Sequence, residues 1–481
     1  MKRLLPIMLI FALLFAGCST AATSPNTAEP TTATTEPAGP VMLMGYAEID
    51  ITPEHSVPLR GYGRVQDRYS KNILSPLMAT ALAITDEDGQ TILIISVDLC
   101  GTVMENGYRN AISMATGIPV DNICISATHT HSAPDTTATS LEGVKEYNVM
   151  ARKRIIQLAK DALKDRQETK LYGATVKTTA LNFVRRYVLK DGTFGGDNYG
   201  DFSVGIKGHE SEVDNTMQLV KFVREGKPDV ILTNFQTHPH RTGGSKKYDV
   251  SADIVGAYRD AMAEKLGCKV IYFTGGSGNV NPTSRIAEEN IYSDYLAHGE
   301  AMARTAMLAR YEPLSGGKVQ AISRKIEVSV NHTYDEYASV LRQYYTRWNS
   351  GELSTATFNK IANLLVPIKI NSPYHANAIY NNSKRAATET FTIYTFSFGD
   401  VAFVGAPYEM FDHNGVQIKE SSPFAMTIIG TCTNGGMGYL PSELGFRNGG
   451  YSVDTTRFIG GTAEQMVENF GQMLEELHKT H

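Results

Sequence analysis

The sequence predicts a mixed α/β fold in a single large domain, with mixed sheets and flanking helices. Apolar runs of strand length occur at residues 91–97, 122–126, 230–235 and 270–273. Apolar residues recur with helical periodicity between some of these runs, at residues 147–163 and 253–266. No internal repeat and no second linker is visible in residues 41–481, which we therefore expect to fold as one domain.

The first 17 residues have the pattern of a secretory signal peptide. Lys2 and Arg3 form a charged start, and an apolar run through Phe15 follows them. A transmembrane anchor is the alternative, but the run is shorter than the roughly 20 residues that a spanning helix needs, and Pro6 interrupts it. The segment that ends at Cys18 resembles a bacterial lipobox, so we expect Cys18 to carry a lipid. Plain secretion remains the alternative.

Residues 18–40 are expected to form a disordered tether behind that lipid. They consist almost entirely of Ser, Thr, Ala, Pro, Glu and Asn, which cannot bury enough apolar surface to offset the entropy of ordering. We therefore expect an exported cell-envelope lipoprotein, anchored to the outer face of a bacterial membrane through Cys18. Its oligomeric state cannot be predicted from the sequence.

Charge and cysteine content exclude several classes of protein. The 481 residues include 45 Lys and Arg against 50 Asp and Glu, a formal charge of −5 without a basic block. Nucleic-acid binding is therefore not expected. The five cysteines are too few for a disulfide scaffold and contain no CxxC pair. Cys100 and Cys124 belong to strand-like segments, where burial is the expected role of a thiol.

Two further elements can be predicted near the carboxyl terminus. Residues 391–404 alternate around Gly399-Asp400 and predict a hairpin. Thr462 and Gln465 have the spacing of a capping box, followed by an apolar helical face through Leu477, which predicts a closing helix. The helix-like segment 334–365 is either a lid or a packing element.

Two His-x-His pairs are the first candidates for chemistry: His129 with His131, and His238 with His240. Each pair follows a strand-like run, where an α/β sheet presents its loops to ligands. Residues i and i+2 of an extended chain face the same side, so either pair could offer two imidazoles to one metal ion. Loop histidines bonded to the backbone are the equally weighted alternative for each pair.

Carboxylates and a glycine-rich loop complete the candidates. A catalytic zinc site needs about three N or O ligands, and Glu409, Asp98, Asp135 and Asp253 lie near strand ends or loops. Capping or surface pairing is the commoner role of an isolated Asp. The loop at residues 274–282 lacks the Gly-Lys-Ser/Thr of a P-loop and the second glycine of a nucleophile elbow. It is expected to present backbone amides to an anion or a developing oxyanion.

Several blocks, in order, resemble the catalytic domain of the neutral/alkaline non-lysosomal ceramidases, over residues 45–477. The blocks are Asp50-Ile51-Thr52-Pro53, Gly61-Tyr62-Gly63, Ser96-Val97-Asp98, Thr128-His129-Thr130-His131-Ser132-Ala133-Pro134, Thr237-His238-Pro239, Gly278-Asn279-Val280-Asn281-Pro282 and Pro407-Tyr408-Glu409, followed by Tyr439 and Tyr451. The THTH-S-x-P block is specific, whereas the others are informative through their order.

The resemblance implies a zinc-dependent amidohydrolase in which a metal-activated water attacks an N-acyl amide, in ceramide or a related N-acyl lipid. It implies one Zn²⁺ per chain, with the ligands His129, His238, Glu409 and Tyr439. Such a set of imidazole, carboxylate and phenol donors suits zinc. The implied catalytic residues are His131 as the polar or general-base group, Arg185 and Tyr451 as groups that orient the carbonyl, and Asn281 as a hydrogen-bonding group.

Two departures from that family bear on the substrate. Ceramide-cleaving members have Gly-Asp-Val-Ser-Pro where this chain has Gly278-Asn279-Val280-Asn281-Pro282, and Asn281 cannot act as a nucleophile. Those members also continue into an immunoglobulin-like domain, which we do not expect after residue 481. A different N-acyl compound is therefore as good a substrate hypothesis as ceramide.

Two other functions remain as alternatives to the hydrolase. The first is a non-catalytic surface lipoprotein that retains the fold to bind a lipid or glycan. The second is a serine hydrolase that uses Ser277, although the spacing around this residue does not favour it.

Overall fold

Three sheets that share a four-stranded arrangement form the body of the protein in a computed structural model that describes residues 41–102 and 105–480; two of them have a short fifth strand. The expected signal peptide, Cys18 and the tether lie outside the described residues. In each sheet the first three strands are antiparallel, and a helix then connects the third strand to a parallel fourth strand at the sheet edge. A closing helix follows. The predicted mixed α/β fold is confirmed.

We call these units the first, second and third repeats, because each has the same order of elements. The first repeat contains the strands Leu43–Asp50, Met78–Thr85, Thr91–Val97 and Ile123–Ala127 and the helices Glu105–Thr116 and Val144–Lys164. The second contains Lys170–Lys177, Thr216–Val223, Val230–Phe235 and Lys269–Thr274 and the helices Asp253–Leu266 and Tyr295–Ala306. The third contains Val319–Ser329, Thr388–Phe398, Val401–Gly405 and Met426–Gly430 and the helices Asp412–Ser421 and Thr462–His478.

The inner faces of the three sheets meet in one central core. Ile94 of the first repeat, Phe273 of the second and Phe403 of the third belong to the same buried cluster. The rings of Phe273 and Phe403 lie edge to face with centroids 5.1 Å apart. Alternate residues point to the opposite face of each sheet, where the repeat's own helices cover them. Each sheet is therefore buried on both faces, which explains the continuous apolar runs in its strands.

Polar side chains join the repeats near the carboxyl ends of the parallel strands. Asn234 donates to the carbonyls of Phe273 and Ile429 at 2.9 and 2.8 Å, which links the second and third repeats. Ser96 donates to the carbonyl of Tyr272 at 2.6 Å, which links the first and second. These bonds satisfy buried polar groups and hold the strand ends in register.

Each repeat carries an insertion between its first and second strands. The second repeat inserts a three-stranded sheet of Tyr187–Leu189, Phe194–Gly196 and Ile206–His209. The third repeat inserts the helices Ala338–Asn349, Thr355–Leu365 and Pro373–Asn382, which have their own apolar cluster. Because the second strand is antiparallel to the third, these insertions lie at the sheet edge where the parallel strands end.

Short strand pairs and two short helices complete the described elements. The pairs are Leu59–Arg60 with Ala133–Pro134, Asn72–Ile73 with Asp249–Val250, Phe183–Val184 with Val280–Asn281, and Glu409–Met410 with Tyr439–Leu440. Gln167–Glu168 and Glu312–Leu314 extend the first and second sheets, and the short helices are Glu443–Asn448 and Tyr451–Asp454. Among the described residues, no helix is long and apolar enough to cross a membrane.

Two local predictions have different outcomes. The hairpin is confirmed, since Thr388–Phe398 pairs with Val401–Gly405 around Gly399 and Asp400. The capping box is wrong: the closing helix begins at Thr462, and its N-cap is Gly461, which makes no side-chain bond. Gln465 instead donates to the carbonyl of Glu327 at 3.3 Å. Gln465 therefore contacts the third sheet and does not cap its own helix.

Candidate metal centre

One histidine from each His-x-His pair meets Glu409 at the common edge of the three sheets. Nε2 of His129 lies 3.4 Å from the Glu409 carboxylate, and Nε2 of His238 lies 3.5 Å from it. His129 follows the last strand of the first repeat, whereas His238 and Glu409 follow the third strands of the second and third repeats. Each repeat therefore contributes one residue to this cluster.

Backbone carbonyls orient both imidazoles. Nδ1 of His129 donates to the carbonyl of Cys100 at 2.6 Å, and Nδ1 of His238 donates to the carbonyl of Val280 at 3.0 Å. A carbonyl can only accept, so Nδ1 carries a proton and Nε2 is the ring nitrogen that faces Glu409. Histidines that ligate metals are commonly oriented in this way.

The cluster fits a metal ion. The ligand atoms of His129, His238 and Glu409 lie within 4.8 Å of one another. Nε2 of His238 and Oε2 of Glu409 are buried without a hydrogen-bond partner. Unpaired buried polar atoms are costly, and a cation among these three lone pairs would satisfy them. A second group within the same distance contains Cys100, His129 and His131.

Burial and the neighbouring charges shift the pKa values of the cluster. Burial alone would lower the pKa of His129, but Cys432 and Glu409 raise it well above the ordinary value, so a proton competes with a metal ion for Nε2. Burial lowers the pKa of His238 to about 3. Burial would raise the pKa of Glu409, but the two histidines hold it well below the ordinary value. Glu409 is therefore anionic, which is the state that binds a cation.

His131 stands beside the cluster as a neutral imidazole. Its Nε2 is 3.4 Å from Nε2 of His129, and its Nδ1 is buried without a partner. Burial lowers its pKa well below the ordinary value, and His129, His238 and His240 lower it further. His131 therefore keeps a free lone pair next to the candidate metal position.

Arg185 and Asn281 form the polar side of the site. Arg185 is 3% exposed, and Nη2 donates to the carbonyl of Gly278 at 2.8 Å. Its Nη1 lies 3.5 Å from Oδ1 of Asn281, which also accepts from Nε2 of His240 at 2.9 Å. The Asn281 side chain thus connects the Arg185 guanidinium to the His240 imidazole.

Tyr439 and Tyr451 are placed next to this polar side. Tyr439 is the strand neighbour of Glu409, and the Arg185 guanidinium lies 5.2 Å from its ring centroid. The Tyr451 ring lies 5.9 Å from the Tyr439 ring. Burial raises the pKa of both phenols, so both stay protonated at neutral pH.

The other candidate carboxylates have structural roles. Asp98 binds Arg259 and accepts from the Met78 amide. Asp135 accepts from the amides of a turn, at residues 137 and 138. Asp253 accepts from the amide and hydroxyl of Thr242 and so holds the loop that follows His240. Of the four carboxylates predicted from sequence, Glu409 alone joins the His129 and His238 cluster among the described residues.

Three further residues belong to the site: His240, which sequence reasoning named only as a member of a candidate pair, and Tyr62 and Cys432, to which it assigned no role. His240 bonds Asn281, as described above. The Tyr62 hydroxyl donates to the carbonyl of His240 at 2.6 Å, and its ring lies 5.3 Å from that of His131. Sγ of Cys432 lies 3.6 Å from Nδ1 of His129. The second His-x-His pair was the signal for His240, whereas Cys432 carries no recognisable motif.

The glycine-rich loop supports the site through its backbone. Asn279 and Asp412 exchange two hydrogen bonds of 2.8 and 2.9 Å, which join this loop to the third repeat. Ser277 is buried, and among the described residues no hydrogen bond joins its hydroxyl to a histidine. The geometry of a serine nucleophile with an adjacent base is therefore missing in this part of the chain.

The fold is similar to that of two solved structures. One is a neutral ceramidase from Pseudomonas aeruginosa, with a TM-score of 0.66 and 16% identity over 92% of this chain and 75% of that one. The other is a ceramidase complexed with C2, with a TM-score of 0.67 and 15% identity over 92% and 76% of the two chains. No family model and no curated protein matches the chain. The protein thus has the neutral ceramidase fold, as the resemblance implied.

Proposed function

We propose that this protein is a zinc-dependent amidohydrolase that cleaves an N-acyl amide. The observation that carries the proposal is the convergence of Nε2 of His129, Nε2 of His238 and the Glu409 carboxylate, with two of these atoms buried and unpaired. The similarity of the fold to ceramidases supports the same class of reaction. His129, His238 and Glu409 would hold one Zn²⁺, with Tyr439 as a fourth protein group beside Glu409.

When bound, a zinc ion supplies Lewis acidity, which lowers the pKa of water and polarises a carbonyl group. His131 is neutral and can accept a proton at Nε2, then return it to the leaving amine. Arg185, a buried positive charge, would stabilise the negative charge that develops on the carbonyl oxygen. The protonated phenol of Tyr451 can donate a hydrogen bond to the same oxygen.

Asn281 fits a hydrolytic reaction that needs no side-chain nucleophile. Its amide oxygen is occupied by His240 and approached by Arg185, so its role is to orient these two groups. Ceramide and other N-acyl lipids or amines are the candidate substrates.

Metal analysis and activity profiling test this proposal. We expect about one zinc per chain and hydrolysis of at least one N-acyl sphingosine or short N-acyl amine, abolished by a chelator and restored by zinc. His129→Ala should lose both metal and activity, whereas the partly exposed surface variant His332→Ala should keep both. A zinc-free protein with full activity would contradict the proposal. Ligand binding that survives His129→Ala, without hydrolysis of any substrate, would support the binding lipoprotein instead.

We also propose that a lipid on Cys18 anchors the protein to the outer face of a bacterial membrane. The lipobox-like segment before Cys18 supports this location. The intact chain expressed in a bacterial host should partition with membranes, and Cys18→Ser should release it. A Cys18→Ser protein with unchanged membrane association would contradict lipid anchoring.

A further inference from the structure

A large cavity lies between the insertions of the second and third repeats. Its volume is about 1120 Å³, above the roughly 300–1,000 Å³ of ordinary small-molecule pockets. The three-stranded insertion, the helical insertion and the segment around Gly450 supply its walls. Tyr199 lines it, and the Tyr199 ring lies 5.1 Å from the ring of Tyr451. Tyr199 therefore connects the cavity lining to the candidate catalytic residue Tyr451.

The lining of this cavity combines amide and aliphatic side chains in equal number, so it offers both polar groups and apolar surface. Six asparagines line it, at positions 331, 359, 363, 371, 382 and 448. The NH2 groups of Asn363, Asn371 and Asn382 already donate to the protein. An amide oxygen without a partner, such as Oδ1 of Asn359, remains available to accept from a hydroxyl group of a carbohydrate. Tyr199 is 37% exposed and offers a ring face against which the C–H face of a sugar can pack.

Two buried polar atoms in the lining lack a partner. His375 is 6% exposed, and its Nδ1 makes no hydrogen bond; the nearest carboxylate oxygen, of Asp454, is 3.7 Å away. Oδ1 of Asn359 is likewise buried and unpaired. Each such atom costs free energy until a partner fills the gap. A ligand hydroxyl can serve either atom, because it is both donor and acceptor.

The charges in the lining define the ligand further. Asp191, Asp201, Asp335 and Asp454 face the cavity together with one lysine, Lys369. This excess of negative charge disfavours phosphate, sulfate and carboxylate groups. Neutral hydroxyl groups carry no such penalty.

We propose that this cavity is a binding site for a neutral, hydroxyl-rich ligand, namely a glycan, with His375, Asp454 and Asn359 as its polar contacts and Tyr199 as its aromatic platform. The site adds a second ligand class to the proposed hydrolase. It does not depend on zinc or on hydrolysis.

Calorimetric titration of the full protein with neutral di- to tetrasaccharides tests the site. We expect binding of one molecule per chain to at least one of them, accompanied by a rise in Tm. His375→Ala and the isosteric Asp454→Asn should each weaken binding about tenfold or more. His55→Gln, a change at an exposed histidine outside the cavity lining, should leave binding unchanged. A sulfated oligosaccharide of the same length should not bind.

The same titration on His129→Ala separates this inference from the proposed function, because glycan binding should persist when zinc and hydrolysis are lost. A second experiment adds micelles of a glycosylated lipid to the protein. If the micelles compete with the free oligosaccharide for binding, the site also accepts the headgroup of a lipid. Absence of binding by every neutral oligosaccharide up to about 10 mM would overturn the proposal. The proposal would also be overturned if His375→Ala and Asp454→Asn, both folded, bind the glycan with the affinity of the wild-type protein.

Discussion

Gly61 has no side chain, which lets its own backbone pass close to His131. Gly61 has a φ of +117°, and a Cβ at this position would lie 2.5 Å from Cβ of His131. A side chain at Gly61 would therefore both strain the backbone and displace the imidazole that we propose as the proton carrier.

Gly61→Ala should reduce activity and lower the free energy of unfolding by about 1–3 kcal/mol, because overpacking and a left-handed backbone act together. Denaturant unfolding and hydrolysis rates measure these effects. Gly63→Ala is a matched control, since Gly63 also has a positive φ of +63° but no atom lies within 4 Å of a Cβ placed there. Equal effects of the two substitutions would show that packing against His131 is unimportant.

Asn281 allows a second prediction at the scale of the residue. Asn281→Ala removes the acceptor of His240 Nε2 and the neighbour of Arg185, without touching His129, His238 or Glu409. We expect kcat to fall about tenfold or more while the zinc content stays at that of the wild type. Loss of zinc in Asn281→Ala would mean that this residue supports metal binding instead.

At the scale of the element, one buried ion pair joins the first repeat to a helix of the second. Asp98 follows the strand Thr91–Val97 and is fully buried, and its carboxylate accepts from Nη2 of Arg259 at 2.5 Å and from Nη1 at 3.1 Å. Arg259 lies on the helix Asp253–Leu266. Asp98 therefore links the first sheet to a helix of the second repeat, and it also accepts from the hydroxyl of Thr128, the residue before His129.

Asp98→Asn should destabilise the protein by about 3 kcal/mol, because it leaves the largely buried Arg259 guanidinium without its counter-charge. Urea unfolding measures the change. Glu48→Gln breaks an ion pair with Lys269 that is about two-fifths exposed, and it should cost less than about 1 kcal/mol. Similar losses in both variants would contradict the structural role of Asp98.

At the scale of the whole molecule, the candidate metal site joins the three repeats, since His129, His238 and Glu409 each come from a different one. A ligand that binds only the folded state stabilises it, by about 2.7 kcal/mol at a concentration one hundred times its Kd. Zinc should therefore raise the Tm of the wild-type protein, and a chelator should lower it. His129→Ala should unfold at one temperature in both conditions. A wild-type Tm that does not respond to zinc would contradict this.

Local patterns were sufficient to predict many elements and several site residues. The strand Val230–Phe235 and the helix Asp253–Leu266 coincide with their sequence-based boundaries, because apolar periodicity reports directly on burial. The His-x-His pairs were recognisable for a similar reason, since they follow strands and are rare. The capping box failed because Gln465 found a partner in the neighbouring sheet, which no local pattern describes.

The sequence by itself determined the mixed α/β class, the main strands and helices and the candidate histidines, because these depend on residues that are close along the chain. Residue patterns alone left four candidate carboxylates, among which the family resemblance pointed to Glu409, and the tertiary structure shows that Glu409 joins the histidines whereas Asp98 binds Arg259. It also revealed three repeats of one topology that share no visible sequence pattern, and it placed the helical insertion beside the large cavity. These features arise from contacts between residues far apart in the chain, and such contacts leave no periodic signal in it.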